Sequence, residues 1–139
     1  MAIHRTEITI ETRGECDVID ITPALEKALQ GAGGGDGTAH CFTPGATAAV
    51  TAIEFEPGAV QDFQEAIERI APRDGFYHHN ERWGDGNGFS HLRAALLGPS
   101  MSVPIEKGRL LLGTWQQIVL VDFDNRPRSR RVVLTITTE

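Results

Sequence analysis

The sequence predicts an α+β fold in one domain that spans all 139 residues, 1–139. Residues 3–11 and 128–137 alternate apolar and polar side chains, which is the period of a strand with one buried face. Between them, residues 60–70 place apolar side chains at helical spacing, and no repeat or linker divides the chain. This order indicates a sandwich of mixed or antiparallel strands with two to three helices.

The first elements are predicted as two strands followed by a helix. Residues 3–11 form the first strand and residues 16–21 the second. Thr22 offers a hydroxyl N-cap and Pro23 suits the first helical position, so a helix is expected to begin there. It ends at the glycine run 31–37, since glycine favours non-helical conformations. That run is predicted as a surface loop; a phosphate cradle is the alternative, although the Gly-Lys-Ser/Thr ending is missing.

Two strands, two helices and an irregular segment are predicted next. Strands over 38–43 and 46–56 are joined by the turn sequence Pro44-Gly45. Residues 60–70 form an amphipathic helix that Pro72 ends. A long irregular segment follows from Pro72 to Gly88, and then Leu92, Ala95 and Leu96 indicate a short helix closed by Gly98.

The remainder is predicted as β structure. Residues 101–105 form a strand, Lys107-Gly108 a turn, and residues 110–112 run into a strand over 115–123. After a turn at 124–127, residues 128–137 return as the second strand of a terminal hairpin.

Composition limits the classes of partner. The net charge of −6 opposes broad binding to nucleic acid or to an anionic membrane, and no apolar run approaches the ~20 residues of a membrane-spanning helix. The N-terminus lacks a basic patch followed by an apolar stretch, so we expect a cytoplasmic protein. Cys16 and Cys41 lack C-x-x-C spacing and are interpreted as reduced core residues.

A histidine-rich segment is the first candidate functional site. His78, His79 and His91 lie within 14 positions that also contain Glu81, Asp85 and Asn87. Imidazole with carboxylate suits zinc or a similar divalent ion, although the spacing matches no standard zinc motif. In an extended segment adjacent side chains point to opposite sides, so only one of the two neighbouring histidines is expected to join His91. The alternative is a set of solvated histidines beside a helix cap formed by Asn87 or Ser90.

Three further features have two interpretations each. Arg126, Arg128, Arg130 and Arg131 form the only dense basic cluster; it is either a bidentate phosphate site or a charged edge strand. Glu54 lies either on the solvent face of its strand or is a buried acid paired with a cation. Trp115-Gln116-Gln117 is either ordinary strand structure or places a glutamine in a pocket, where its amide can orient a ligand.

Several short motifs, taken together, resemble the YjbQ family in order and spacing. They are Gly45-Ala46-Thr47-Ala48-Ala49, Glu54, Tyr77-His78-His79, Ser90-His91-Leu92, Leu97-Gly98, Pro104-Ile105, Gly113-Thr114-Trp115-Gln116 and Arg128-Ser129-Arg130-Arg131. The resemblance covers nearly the whole chain. It implies a YjbQ-like α+β sandwich, a homotrimer, and a metal-associated pocket built from histidines near a subunit boundary.

The family is described as secondary thiamine-phosphate synthases, which join hydroxymethylpyrimidine diphosphate to thiazole phosphate and release pyrophosphate. By matching motif positions, the resemblance implies metal ligands at His79 and His91. It also implies catalytic roles for His91, Asp85, Glu54 and Gln116. The chain departs from the family pattern where many members have His-Thr-Thr, since it has Gly45-Ala46-Thr47, and where Ile53 replaces an asparagine.

These observations lead to one expected function and two alternatives. The expected function is a metal-assisted transferase of the thiamine-phosphate synthase type, with a divalent ion, expected to be zinc, and Arg128 and Arg130 stabilising pyrophosphate. The alternatives are a non-catalytic homotrimer that binds a metal or a small anionic metabolite, and a metal-dependent phosphate-ester hydrolase. The expected partners are further copies of the chain and a small phosphorylated metabolite.

Overall fold

The computed structural model describes residues Met1–Glu139 and contains eight strands and four helices. The strands are β1 (Ala2–Thr12), β2 (Asp17–Asp20), β3 (Gly37–Phe42), β4 (Ala48–Ile53), β5 (Ser100–Glu106), β6 (Arg109–Leu110), β7 (Gln117–Asp122) and β8 (Arg128–Thr138). The helices are α1 (Thr22–Gln30), α2 (Pro57–Ile70), α3 (His78–Trp83) and α4 (Gly88–Leu97).

The strands form two antiparallel sheets, which confirms the predicted α+β class. The larger sheet has the order β1-β8-β3-β5-β6 and the smaller one the order β2-β7-β4. The predicted terminal hairpin is wrong, because β7 lies in the small sheet while β8 pairs with β1 and β3 in the large one. The Pro44-Gly45 turn likewise carries the chain from one sheet to the other rather than closing a β3–β4 hairpin.

The main core lies between the two sheets and under α1. Its members include Leu25 and Leu29 from α1, Ile118 and Leu120 from β7, and Val132, Leu134 and Ile136 from β8. The alternate residues of β7, Val119 and Val121, face the other way. β7 is therefore apolar on both faces, as expected of a central strand in a three-layer protein.

The third layer consists of α2 and α4, which cover the outer face of the small sheet. A second cluster joins Ile67 of α2 and Ala94 of α4 to Val119, Val121 and Phe123. The helix predicted over 60–70 is confirmed, and it begins at Pro57, where the Glu56 carboxylate accepts hydrogen bonds from the Gly58 and Ala59 amides. These amide hydrogen bonds lower the pKa of the Glu56 carboxyl.

Helices α1 and α4 differ in detail from the prediction. Thr22 is not the N-cap of α1; Ile21 is, and the Thr22 hydroxyl accepts a hydrogen bond from the Ile118 amide at 2.8 Å. In α4 the predicted apolar residues Leu92 and Leu96 are exposed, while Phe89 is fully buried.

The segment from Pro72 to Gly88 is not wholly irregular, because it contains α3. This helix has six residues and none of them is buried, so no apolar periodicity could reveal it. It ends at Gly84, whose φ of 65° is left-handed.

Both cysteines are buried and unpaired, which confirms the interpretation of them as reduced core residues. Burial raises the pKa of each thiol to about 11. None of the four helices combines the length and the hydropathy needed to cross a membrane.

Candidate functional site at the polar end of the sandwich

One end of the sandwich is closed by a buried ion pair between the two sheets. Inward alternation along β7 passes from Ile118 and Leu120 to Asp122, and along β8 it reaches Arg130 before Val132. Arg130 Nε donates to Asp122 Oδ2 at 2.7 Å and Nη2 donates to Oδ1 at 3.0 Å. Arg130, one of the arginines considered for a phosphate site, thus forms a bidentate ion pair with Asp122.

Asp124 extends this buried network toward the surface. Its Oδ2 accepts hydrogen bonds from the Thr47 hydroxyl at 2.9 Å, from Arg128 Nε at 3.1 Å and from Asn87 Nδ2 at 3.3 Å. Burial raises the pKa of Asp124, but these hydrogen bonds and the Arg128 charge outweigh it and leave the pKa below its usual value. The other oxygen, Oδ1, is buried and has no hydrogen-bond partner.

The ion pairs involve the two arginines that were expected to bind phosphate. Arg130 is only 9% exposed, and its Nε and Nη2 atoms bond to Asp122 and Thr47. Arg128 is half-buried and paired with Asp124 at 3.0 Å. Both guanidinium charges are therefore balanced by aspartates within the chain.

His91 lies above this network, on the first turn of α4. Its Nδ1 is 3.2 Å from the carbonyl oxygen of Ala46, which precedes Thr47 in the segment leading into β4. A carbonyl oxygen can only accept, so Nδ1 is the protonated nitrogen of the neutral ring and Nε2 carries the lone pair.

His79 reaches the same place from α3. The centroids of the His79 and His91 rings are 4.4 Å apart, with an angle of 42° between the ring planes. His79 Nδ1 is buried without a hydrogen bond and faces Asp85 Oδ1 at 3.4 Å. The structure thus brings together three of the predicted site residues, His79, Asp85 and His91.

The loop between α3 and α4 is held by hydrogen bonds to carboxylate and amide side chains. Asn80 Oδ1 accepts from the Gly88 amide at 2.8 Å, and Asp85 Oδ1 accepts from the Asn87 amide at 3.1 Å. Asn87 Oδ1 accepts from the Ser90 hydroxyl and, at 3.2 Å, from the Asn125 amide. This bracing determines where both histidines sit relative to Asp124.

His78 stays apart from the pair, although for a different reason than predicted. It is not in an extended segment; it is the first residue of α3, and its ring makes an edge contact with Phe76 at 5.2 Å. Adjacent residues of a helix are ~100° apart around the axis, so His78 and His79 still point in different directions.

Glu54 and Gln116 lie at the opposite end of the small sheet. β4 ends at Ile53, so the prediction that its strand includes Glu54 is wrong; the residue is exposed, which excludes the buried-acid alternative. It lines a recess of about 400 Å³ with Phe55 and Trp115. Gln116 precedes β7, in an exposed loop that it closes by accepting from the Gly113 amide at 3.0 Å. The length of β4, from Ala48 to Ile53, separates this recess from His91.

Sequence reasoning missed the residues that support the histidines. Asp122 and Asp124 were assigned only to a strand and a turn, and Thr47 only to a motif. At the end of the small sheet near Glu54, Gln117 rather than Gln116 joins β7 to the residues after β4, because its side chain accepts a hydrogen bond from the Phe55 amide at 2.9 Å. The signal in the sequence was Asp122, the one charged residue on the apolar inward face of β7, which indicates a buried partner of opposite charge.

The geometry defines a class of protein: a two-sheet α+β sandwich with a histidine pair over a buried aspartate–arginine network. The family model described as UPF0047 protein YjbQ-like matches residues 6–139, and the chain belongs to this family. A UPF0047 protein of Archaeoglobus fulgidus is 39% identical over 92% of this chain and 97% of its own length. The YugU protein of Bacillus subtilis is 35% identical over 88% of this chain and 91% of its own length.

Solved structures agree with this assignment. A YbjQ-like protein of Sulfolobus solfataricus superposes with a TM-score of 0.93 at 30% identity, covering 99% of both chains. A protein of Aeropyrum pernix gives a TM-score of 0.90 at 34% identity, covering 98% of this chain and 99% of its own. The predicted family and fold are therefore confirmed.

Proposed function

We propose that the chain is a metal-assisted transferase of the thiamine-phosphate synthase type, joining hydroxymethylpyrimidine diphosphate to thiazole phosphate with release of pyrophosphate as a secondary activity. The observation that supports it most is the paired orientation of His79 and His91. Each ring turns Nδ1 toward an oxygen, from Asp85 and Ala46 respectively, which leaves both Nε2 atoms available. Such acceptors behind Nδ1 are typical of histidines that bind metals or transfer protons.

The donor set of this pair fits a divalent ion such as zinc in part. Two imidazole nitrogens are suitable ligands, yet nowhere in the chain do three or more His, Cys, Asp or Glu side chains converge to hold a metal ion. We propose that His79 and His91 hold the ion and that oxygens of the ligand or water complete its coordination. A bound divalent ion would neutralise negative charge on the departing pyrophosphate.

The chain's own residues have separate tasks in this proposal. Asp85 orients the His79 ring from its Nδ1 side. Nε2 of His91 would bind the ion when the metal is present and could hold a proton only when the metal is absent. Arg128 retains partial exposure beside Asp124 and is the better candidate for contact with a phosphate. Arg130 supports the site chiefly by fixing Asp122 and Thr47.

Metal binding is tested by zinc and manganese titration of His78→Ala, His79→Ala and His91→Ala beside the parent. The His79 and His91 variants should lose metal retention, while the His78 variant, a matched histidine outside the pair, should keep it. Asp85→Asn should weaken affinity by about 10–100-fold, as loss of an orienting carboxylate does elsewhere. Equal binding by the three alanine variants, with circular dichroism showing folded protein, would sink the metal assignment.

The reaction is tested by pyrophosphate release. Release that requires both thiamine precursors and fails in His91→Ala supports the transferase. Phosphate release from a single phosphate ester would instead indicate the hydrolase alternative.

A binding protein is the second candidate, and the balanced arginines favour it. Because Asp122 and Asp124 neutralise Arg130 and Arg128, the chain offers little unpaired positive charge for a leaving group of high charge. In this case the precursors or simpler phosphates would bind at the histidine pair without turnover. Saturable binding with no product over a long incubation would decide for this candidate.

We also propose that the protein is a cytoplasmic homotrimer. Phe55 and Trp115, 43% and 73% exposed, are large apolar side chains that line one recess with Glu54. Such surfaces commonly mark protein interfaces. A neighbouring copy is also the simplest way to bring Glu54 and Gln116 to the histidine pair. Light scattering at micromolar concentration should give three times the monomer mass of 15.2 kDa, and a monomer would contradict the assembly.

A further inference from the structure

A small pocket is lined in part by His91. Besides the His91 ring, its walls come from two segments: Gly45, Ala46 and Ala48 leading into β4, and Ala94, Ala95 and Pro99 at the end of α4. All but His91 are small or apolar. The cavity volume is about 210 Å³.

The size of this pocket limits what it can accept. An engineered apolar cavity of ~150 Å³ in another protein binds benzene, so a six-membered ring fits a cavity of this volume. The rim is accessible, because Ala95 and Pro99 are exposed. A ring entering past them would lie against the imidazole of His91.

Gly45 is an exposed residue of the pocket wall whose lack of a side chain leaves space beside Arg130. Its φ of +141° is a conformation that other residues rarely adopt, and a Cβ built there would lie 3.1 Å from Arg130 Nη1. Nη1 is the nitrogen of Arg130 that is left over from the contacts of Nε and Nη2 with Asp122 and Thr47. Arg130 is not part of the pocket wall, so the pocket itself is lined by apolar or small residues and the His91 ring.

We propose that this pocket is a subsite for an uncharged, ring-sized part of the ligand, and that it selects molecules carrying a six-membered ring next to the group that contacts His91. The proposal rests on the proposed function only in taking His91 as the working residue. A hydrocarbon chain too flexible to be held flat between α4 and the Gly45 segment gains less, since it loses more rotational freedom on binding.

The test uses benzyl alcohol as an uncharged ring probe and ethanol as its counterpart without a ring. The imidazole resonances of His91, assigned by comparison with His91→Gln, are followed by NMR as each alcohol is added. Benzyl alcohol should shift these resonances saturably, while ethanol should not. Ala95→Trp, which places a large side chain over the rim, should raise the midpoint by about tenfold or more, a change of 1.4 kcal/mol in binding free energy. Ala95→Leu should raise it less.

Leu96→Trp is the matched control, because Leu96 is 56% exposed on the same helix but does not line the pocket. It should leave the midpoint unchanged. An unsaturable response to benzyl alcohol, or equal midpoints in the parent and Ala95→Trp, would overturn the subsite. The experiment uses neither metal nor phosphate. If benzyl alcohol shifts the His91 resonances saturably but the protein does not retain metal, only the proposed function is refuted. If the protein retains metal but benzyl alcohol does not shift the His91 resonances, only the subsite is refuted.

Discussion

Replacing Arg130 by methionine should destabilise the protein strongly, because it strands a buried charge. Asp122 is fully buried, and without Arg130 it keeps only the Thr12 hydroxyl at 2.6 Å and the Asp124 amide at 3.0 Å. Removing one partner of a buried ion pair costs about 3–5 kcal/mol. At roughly 2.1 cal/mol/K of unfolding entropy per residue, a chain of 139 residues loses about 3.4 °C per kcal/mol, or about 10–17 °C in melting temperature.

The measurements are urea unfolding for the free energy and thermal unfolding for the melting temperature, both followed by circular dichroism at fixed protein concentration. Arg131→Met is the control: it makes the same change one residue along β8, in an exposed pair with Glu7, and should cost under about 1 kcal/mol. If Arg130→Met is no less stable than Arg131→Met but loses phosphate binding, Arg130 is an anion ligand and the structural interpretation fails.

Three other predictions concern titratable side chains. Because the folded state lowers the pKa of Asp124, the stability this carboxylate contributes is present above pH 3.8, its ordinary value, and is lost as the pH falls toward the folded value. The stability gap between the parent and Asp124→Asn should therefore shrink below about pH 4 in acid unfolding; a constant gap would contradict this. Burial holds the thiol pKa values of Cys16 and Cys41 at about 11, so a thiol-specific chromogenic disulfide should label neither at pH 8 until the protein unfolds. Burial also raises the pKa of Tyr77, so spectrophotometric titration should find its midpoint above 10.0, and a midpoint at the ordinary value would contradict this. The Tyr77 hydroxyl donates to the Pro72 carbonyl at 2.5 Å, so Tyr77→Phe should lower the free energy of unfolding by about 0.5–1.5 kcal/mol.

The fold class was predictable because most elements carry their own periodicity. β1 alternates from Arg5 to Thr12 and β8 from Ser129 to Thr137, and α2 has an apolar stripe, so local patterns alone identified them. α3 carried no such stripe, since it packs no buried residue. Its existence depends on contacts made around it, including the Asn80 side chain that holds the Gly88 amide, and such contacts are invisible to a local pattern.

The histidines of the site could be predicted from the sequence, but the buried residues beneath them, Asp122, Asp124 and Thr47, could not. Donor density and motif position singled out His79, Asp85 and His91, and the structure brings these three together. Glu54 and Gln116 were grouped with them by motif, which carries no information on distance. β4 and β7 run antiparallel between the two ends of the small sheet, so residues after the end of β4 and before the start of β7 meet far from the histidines.

The buried pairing of Arg130 was not predicted, and the reason is topological. Assigning β7 and β8 to a hairpin places Asp122 and Arg130 in one sheet, near its turn, where an arginine is free to project toward a ligand. In the structure the two strands belong to facing sheets, and the inward alternation of each brings Asp122 and Arg130 into the interior between them. A charge at that depth needs an opposite charge and hydrogen bonds, and each residue supplies them to the other. Basic residues on one face of a strand therefore indicate an anion site only once the facing layer is known to hold no acid at the same depth.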